Sequence, residues 1–501
     1  MPFLTYPAAL ELQKELRGTN AEVVTLADDE YVESLDRWSA TSEKEAVCVS
    51  SPHQSIRSLL SPIQEHHLTY ADTTMLIKGA IVKVTTAEEV STVVEFAAKR
   101  YIPFAVLSGG YSTNGASSTY GGIVIDLGRM NRVDVQSSSS IVSVEGGAKW
   151  ADVDTAAAQH GLAVVGPTAS QLGVGGTTLG GGIGWLTGKY GLIIDNLVEA
   201  QVVLADGSIT TASESENPDL FWAIRGAGQD FGVTTRFTFR AHPQQNDVFA
   251  GIIYLDPDKL SQLVDYVNDL DSKLEEDQGL FFGFTNTHDQ TTIVVILFYN
   301  GPQDKAEKMF EPVLSLSTGR GETGMMPYYK TNRLFNRTTA SEGRKRLSGT
   351  SVTLPLDMDF FQTVYQNFSH ILDDHSDDAE AFLLFEMLPY TKVVEVPNDA
   401  TAYANRGPYY NVCSIFNWQD VNADSKIRNL QQGLMSQIRD EHVKKRGPGV
   451  GTYPNFTGFD ANARDLFGDN LPRLKELKKY YDPRNVFRKW HDLLLQTGSS
   501  V

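Results

Sequence analysis

The stretch LGVGGTTLGGGIGW, residues 172–185, places seven glycines in fourteen positions. Glycine loses more backbone freedom on folding than any other residue, so a run this dense weakens the fold unless bare main chain is required there. Two requirements fit: tight turns packed on one another, or close approach of a ligand. A second glycine turn closes the stretch PFAVLSGGYS, residues 103–112, where an apolar run stops abruptly at Ser108, Gly109, Gly110, Tyr111 and Ser112. Two such turns in one predicted domain point to a shared ligand with a long polar spine. Successive N–H groups in glycine-rich turns form anion-binding concavities, which suit a diphosphate without lysine or arginine. The dinucleotide fingerprint GxGxxG occurs once, as GRGETG at 319–324, but Met-Met-Pro follows it and no apolar helix opens there. A Rossmann-type cofactor turn is therefore not expected at that position.

The pattern around these turns predicts an α+β fold. AIVKVT from Ala80 reads as a strand, AEEVSTVVEFAAKR as an amphipathic helix and PFAVL as a buried strand. GGIVIDL, IVSVEGG, VEAQVVLADG and VTTRFTFRA continue as strands bounded by Gly, Asp or Asn. Residues 66–245 thus read as one domain with two strand clusters, and residues 1–65 as an N-terminal arm of short helices and loops. Residues 246–450 alternate apolar strands with long amphipathic helices, such as PLDMDFFQTVYQNFSHILDD and the stretch 420–445. One sheet with a helical face is the economical arrangement for this second domain.

Charge and cysteine use narrow the function. With 43 Lys plus Arg against 62 Asp plus Glu, the net charge is −19, which repels nucleic acid and anionic lipid. The one dense basic cluster, GRKRLSG at 343–349, reads as a solvated loop. Cys48 and Cys413 are the two cysteines, and neither has neighbours at metal-ligand spacing, so no metal site is expected. The N-terminus lacks the basic start and apolar core of a signal peptide, and no apolar run is long enough for a membrane span. A cytoplasmic location is the expectation. No role is assigned to the His66–His67 pair.

Four stretches in order carry a family likeness: SGGYS, GPTASQLGVGGTTLGGGIGWLTGKYGLIIDNLVEAQVVLADG, NPDLFWAIRGAGQDFGVTT, and YPNF with NLPRLKELKKYYDPRNVF. Together they resemble the FAD-linked oxidoreductases of the vanillyl-alcohol-oxidase superfamily (PCMH-type FAD-binding domain), in the berberine-bridge-enzyme-like branch. The resemblance covers residues 66–243 and 450–490 strongly and the middle section by layout. It implies an FAD domain completed by residues 451–501, with 246–450 as an inserted substrate domain of antiparallel sheet covered by helices. It puts the diphosphate at Ser108, Gly109, Gly110, Tyr111 and Ser112. The flavin falls near Gly173, Val174, Gly175 and Gly176 and near Gly180, Gly181 and Gly182. Asp195, Gly232 and Val233 line the adenine and ribose-diphosphate side, and Asn455 approaches the flavin.

The chain also departs from its relatives. Many carry GGHS, whose histidine bonds the flavin 8α-methyl; here Tyr111 stands in that place. A second link uses a cysteine four residues before the first Gly of GVGG, and here that residue is Ala169. The resemblance therefore implies FAD bound without covalent attachment, and so a weaker oxidant. Leu172, just before GVGG, resembles members that react slowly with O2, beside its ordinary reading as a core leucine. Phe456 follows Asn455 where many relatives have Tyr or Glu as a base. Glu386, in the apolar strand AFLLFEML, is the candidate replacement, since burial raises a carboxyl pKa toward a base-competent range. The competing reading pairs it with Arg406 or a rim lysine. Tyr111, Tyr453, Tyr409 and Tyr410 are further candidates, as bases or hydrogen-bond donors.

These features predict an FAD-dependent oxidoreductase, a dehydrogenase or oxidase, acting on a small organic substrate such as an alcohol, amine or phenolic of specialised metabolism, with O2 or another electron acceptor. Two rivals differ in class: a redox-neutral FAD-containing cyclase or isomerase, and a flavin carrier without catalysis.

Overall fold

The computed structural model describes residues 3–31, 33–42, 79–270, 273–286, 291–336, 343–373, 380–447, 453–457 and 462–494. Cys48, His66 and His67 lie outside them. The first sheet has order β1-β2-β4-β3, with β1 Glu22–Val24, β2 Ala80–Lys83, β3 Phe104–Leu107 and β4 Ile123–Asp126. Strands β2 and β3 both run parallel to β4. The helix Ala87–Arg100 connects β2 to β3, and its ends are set by sequence. Thr86 accepts from the Glu89 amide while Glu89 accepts from the Thr86 amide, and Tyr101 closes the helix in the left-handed region at φ 57°. Its buried Val90, Val93, Val94 and Ala97 repeat at helical spacing against the sheet.

The second sheet comprises β5 Val133–Gln136, β6 Ile141–Glu145, β7 Leu162–Val164, β8 Leu197–Val203, β9 Ile209–Ser213 and β10 Val233–Pro243. The long β10 is its hub and pairs antiparallel with β6, β7 and β8. The third is a seven-stranded antiparallel sheet of order β14-β11-β13-β12-β16-β17-β15. Its strands are β11 Val248–Leu255, β12 Gln278–Thr285, β13 Thr292–Tyr299, β14 Ser317–Met326, β15 Arg344–Val352, β16 Glu380–Met387 and β17 Tyr410–Trp418. GRGETG lies within β14, paired to β11, so its glycines open no cofactor turn.

Two-residue alternation gives this sheet two different faces. Leu280, Phe282, Phe284, Leu383, Phe385 and Val412 pack under the helices Leu260–Leu270, Met358–Asp373 and Asp424–Arg446. Their neighbours Phe281, Leu384, Glu386, Cys413 and Ile415 face the other way, into a cavity. The predicted helical cover is present, and the predicted 420–445 helix begins at Asp424, after a short turn at Val421–Ala423.

Two sequence expectations change. Of the expected N-terminal arm 1–65, the described residues 3–24 pack into the core: β1 pairs with β2, and Leu4, Ala9, Leu12 and Leu16 are buried in the first sheet's core. GRKRLSG is not a solvated loop. Most of it is edge strand β15, whose Lys345 and Arg346 are 3% and 7% exposed. The reason is non-local: the Ser39 hydroxyl donates to the Lys345 carbonyl and accepts from its amide, at 2.7 and 2.6 Å, covering that edge. The C-terminal helix Leu471–Tyr481 is tied down by Lys478, whose fully buried ammonium donates to Asp482, to the Asp230 carbonyl and to the Phe487 carbonyl. Among the described residues no helix is long and apolar enough to cross a membrane.

Candidate active site

The two glycine stretches meet. A Cβ placed on Gly109 would stand 2.5 Å from the Gly173 nitrogen, and one on Gly173 would strike Gly109 in return. Backbone therefore lies directly on backbone, with no room for a methyl group. Around this crossing the neighbours are fixed by side chains. The Ser108 hydroxyl donates to the Gly146 carbonyl at 2.7 Å, and the Tyr111 hydroxyl donates to Gln171 Oε1 at 3.2 Å. Tyr111 thus ties one glycine stretch to the other, and burial raises its pKa, so it stands there as a neutral phenol. Gly110 sits at φ +74°, which a side chain would strain.

The crossing forms one wall of a cavity of about 310 Å³. Of the residues expected at the site, Ser108, Gly109, Gly110, Tyr111, Ser112, Ala169, Leu172, Gly173, Gly175, Gly176, Gly232, Val233, Glu386, Tyr453 and Asn455 all line it. Five expected cofactor residues do not. Val174 is buried in the hydrophobic core. Gly180 lies against the Asn455 amide, Gly181 against the Tyr403 ring and Gly182 against Ile193. These three serve chain packing, the other requirement that dense glycine can meet. Asp195 is held by Arg406, Oδ1 to Nη2 at 2.6 Å and Oδ2 to Nη1 at 3.0 Å, and caps the Leu192 amide. Tyr409 and Tyr410 also lie off the cavity: Tyr409 donates to Asn405, and Tyr410 packs on Tyr390 with ring centroids 5.2 Å apart.

The remaining walls have opposite characters. On the loop side, among the described residues, the backbone N–H groups of Gly109, Gly110, Tyr111 and Ser112 have no protein acceptor. Trp38 Nε1, Ser117 Oγ and Thr234 Oγ1 are buried polar atoms of cavity-lining residues, also without a partner. Buried polar groups are nearly always satisfied, so this concentration of donors fits a ligand carrying several acceptors. Gly176 lines the cavity, and a methyl group added there would have nothing within 4 Å, which leaves room for such a ligand.

The opposite wall is the free face of the third sheet, where Phe281, Leu384, Cys413 and Ile415 surround Glu386, joined by Phe335, Leu347 and Phe456. Glu386 is the one carboxylate among the described lining residues, and burial pushes its pKa up to about 8. Its register neighbours are Phe281 and Asn411, and Arg406, the expected ion-pair partner, is committed to Asp195. Burial likewise drives the Tyr453 and Cys413 pKa values upward, with Glu386 adding to both. Tyr453 accepts a hydrogen bond from Asn455 Nδ2 at 2.9 Å, and that same amide donates to the Thr177 carbonyl at 2.9 Å. Asn455 thereby locks the C-terminal turn to the short helix Val174–Leu179.

Several lining residues were missed by sequence reasoning. Thr234 directly follows Val233, so its motif carried a signal. Leu347 and Ile415 sit on alternating strands, where the pattern reveals two faces without saying which one meets a ligand. Trp38 had no local signal at all. No group of three or more His, Cys, Asp or Glu among the described residues could hold a metal ion.

Comparison with known proteins agrees with this geometry. Residues 79–213 match the model of the FAD binding domain, and residues 452–491 match the berberine and berberine-like model. The chain is 33% identical over 507 aligned positions to the FAD-linked oxidoreductase pgmH of Aspergillus terreus, covering 97% of this chain and 95% of that protein. It is 32% identical to the FAD-linked oxidoreductase OXR1 of Pyricularia oryzae, covering 82% and 83% of the two chains. In fold it is similar to the wild-type BBE-like 1 of Physcomitrella patens, with TM-score 0.77 and 19% identity over 97% of this chain and 99% of that one. It is also similar to a xylooligosaccharide oxidase of Myceliophthora thermophila, with TM-score 0.78 and 20% identity over 98% and 100%. A relative 33% identical over 97% of this chain, with the FAD-binding and berberine-like models both matched, identifies an FAD-dependent enzyme: the chain belongs to the FAD-linked oxidoreductases, in their berberine-bridge-enzyme-like branch.

Proposed function

We propose that this enzyme oxidises a small organic molecule with an apolar or aromatic body and one hydroxyl or amine at the reacting carbon, using FAD held without a covalent bond. Glu386 carries the reading: it is the one carboxylate among the described lining residues, buried among apolar side chains, with no basic partner among the described residues. Bound FAD supplies a hydride acceptor. The amides of Gly109 to Ser112 would hold its diphosphate, while Gly175, Gly176 and Leu172 would face the ring system. Tyr111 and Ala169 stand where the relatives' linkages form: Ala169 has no nucleophile, and the Tyr111 hydroxyl is kept a neutral phenol by burial and donates to Gln171.

Removal of a hydride from a carbinol or amine carbon is helped when the attached proton leaves to a positioned base. Glu386 takes that proton. Tyr453, held by Asn455, lines the cavity as a neutral phenol. Phe281, Phe335, Leu347, Leu384, Ile415 and Phe456 exclude water and select against polyhydroxylated ligands, whose extra hydroxyls would be left unpaired. This distinguishes the cavity from the sugar-oxidase neighbour's namesake chemistry.

Anaerobic mixing with a panel of aromatic and aliphatic alcohols, amines and phenols tests the proposal. Lasting bleaching of the oxidised flavin band, reversed by an electron acceptor, is expected. Turnover that leaves the band unchanged would instead favour redox-neutral chemistry. The bleaching rate should rise with pH through about 8 as Glu386 ionises.

A further inference from the structure

Residues 37–41 come from outside both segments matched by the family models, yet one of them, Trp38, lines the cavity. The Trp38 amide donates to the Gly110 carbonyl at 3.1 Å, and the Arg37 guanidinium donates to the Ser117 carbonyl at 3.1 and 3.3 Å. On the other side, Ala40 donates to the Gly343 carbonyl, and Ser39 and Thr41 engage Lys345. The segment is thus pinned both to the loop that offers unsatisfied amides and to the edge of the third sheet.

Trp38 is held from both directions. Its ring lies 5.6 Å from the Tyr111 ring at 33°, the Lys345 ammonium stands 5.7 Å from the indole centroid, and the residue is only 5% exposed. So fixed, the residue lines the cavity, and its buried Nε1–H has no acceptor among the described residues. An indole N–H is a donor only, and leaving it dry and unpaired costs free energy. A tryptophan there for packing alone gains nothing from that group over a phenylalanine.

We infer that Trp38 is a cofactor-binding residue contributed by the N-terminal segment, donating its indole N–H to an acceptor on FAD beside the Gly109–Ser112 amides. Lys345 acts on it as a positioning residue and adds positive charge behind the same wall. The inference rests on FAD occupying this cavity.

Trp38→Phe separates the roles, since it keeps an aromatic ring and removes the N–H. Flavin-depleted protein is titrated with FAD, and melting temperatures are taken with and without cofactor. The expected result is an FAD Kd raised about tenfold, as for loss of one charge-assisted hydrogen bond. The melting temperature should fall for the loaded protein and stay unchanged for the flavin-free protein. An unaltered Kd, or an equal loss of melting temperature in both forms, would overturn the assignment and leave Trp38 a packing residue. Should the flavin prove inseparable from wild-type protein, the unlinked reading fails. The two melting temperatures, taken on protein made with and without riboflavin, still decide for or against Trp38.

Discussion

One wall of the cavity is built from main chain and the facing wall from side chains. The glycine crossing presents amides whose positions depend on having no Cβ nearby, whereas the sheet face presents Phe281, Leu384, Glu386, Cys413 and Ile415. The first wall can hold a ligand common to a whole family because it offers little that varies from chain to chain. The second can change substrate with each side chain and leave the backbone alone. On the proposed function, cofactor and substrate recognition are separated by chemistry as well as by position.

The largest effect should come from the crossing itself. In Gly109→Ala the new methyl meets the Gly173 backbone at 2.5 Å, and neither strand of backbone can give way cheaply. The expected outcome is protein with no bound flavin, read from the ratio of visible to ultraviolet absorbance. On the facing wall, Glu386→Gln should lower the rate of flavin reduction by about 10²- to 10⁴-fold, the range for removing a general base. Flavin content should not change. A variant that lost flavin instead would dissolve the distinction between the walls.

Glu386 also makes a prediction about stability. Its folded-state pKa is raised from 4.5 to about 8. The unfolded chain therefore ionises first, and the carboxyl's contribution, fully present below pH 4.5, is lost as pH rises to about 8. Wild-type protein should lose stability relative to Glu386→Gln across that window, as measured by denaturant unfolding at successive pH values.

Asp195 sharpens the comparison from outside the cavity. Its partner Arg406 has a side chain 1% exposed, and breaking such a pair from one side leaves a buried charge. Asp195→Asn should cost about 3 kcal/mol of stability while leaving FAD affinity unchanged. The smallest effect belongs to Gly176→Ala. Nothing lies within 4 Å of the added methyl, and the position is helical, so the flavin-free protein should be as stable or gain about 0.5–1 kcal/mol. Its FAD affinity should fall, because the methyl occupies cofactor space.

The difference between the walls also explains what the sequence discloses. Glycine is conspicuous, so the turn at 108–112 and the Gly173–Gly176 stretch could be located. The apolar runs of residues 246–450 were legible as strands, but not their two faces. Which face met the cavity depended on packing against a domain distant in sequence, although the lone acid in AFLLFEML marked the right one. Gly180, Gly181 and Gly182 pack on other chain segments off the cavity, a role the sequence does not separate from ligand contact because both demand the same residue. Lys345 and Trp38 were illegible for a further reason: the contacts that bury them join residues 306 and 307 positions apart.

Acid precipitation of the purified yellow protein probes the main-chain cradle most directly. If the cofactor is held by non-covalent contacts, all of the flavin passes into the supernatant and is recovered as intact FAD. Flavin remaining in the washed pellet would contradict this account, because it would require a covalent bond that Tyr111 and Ala169 are here held not to make.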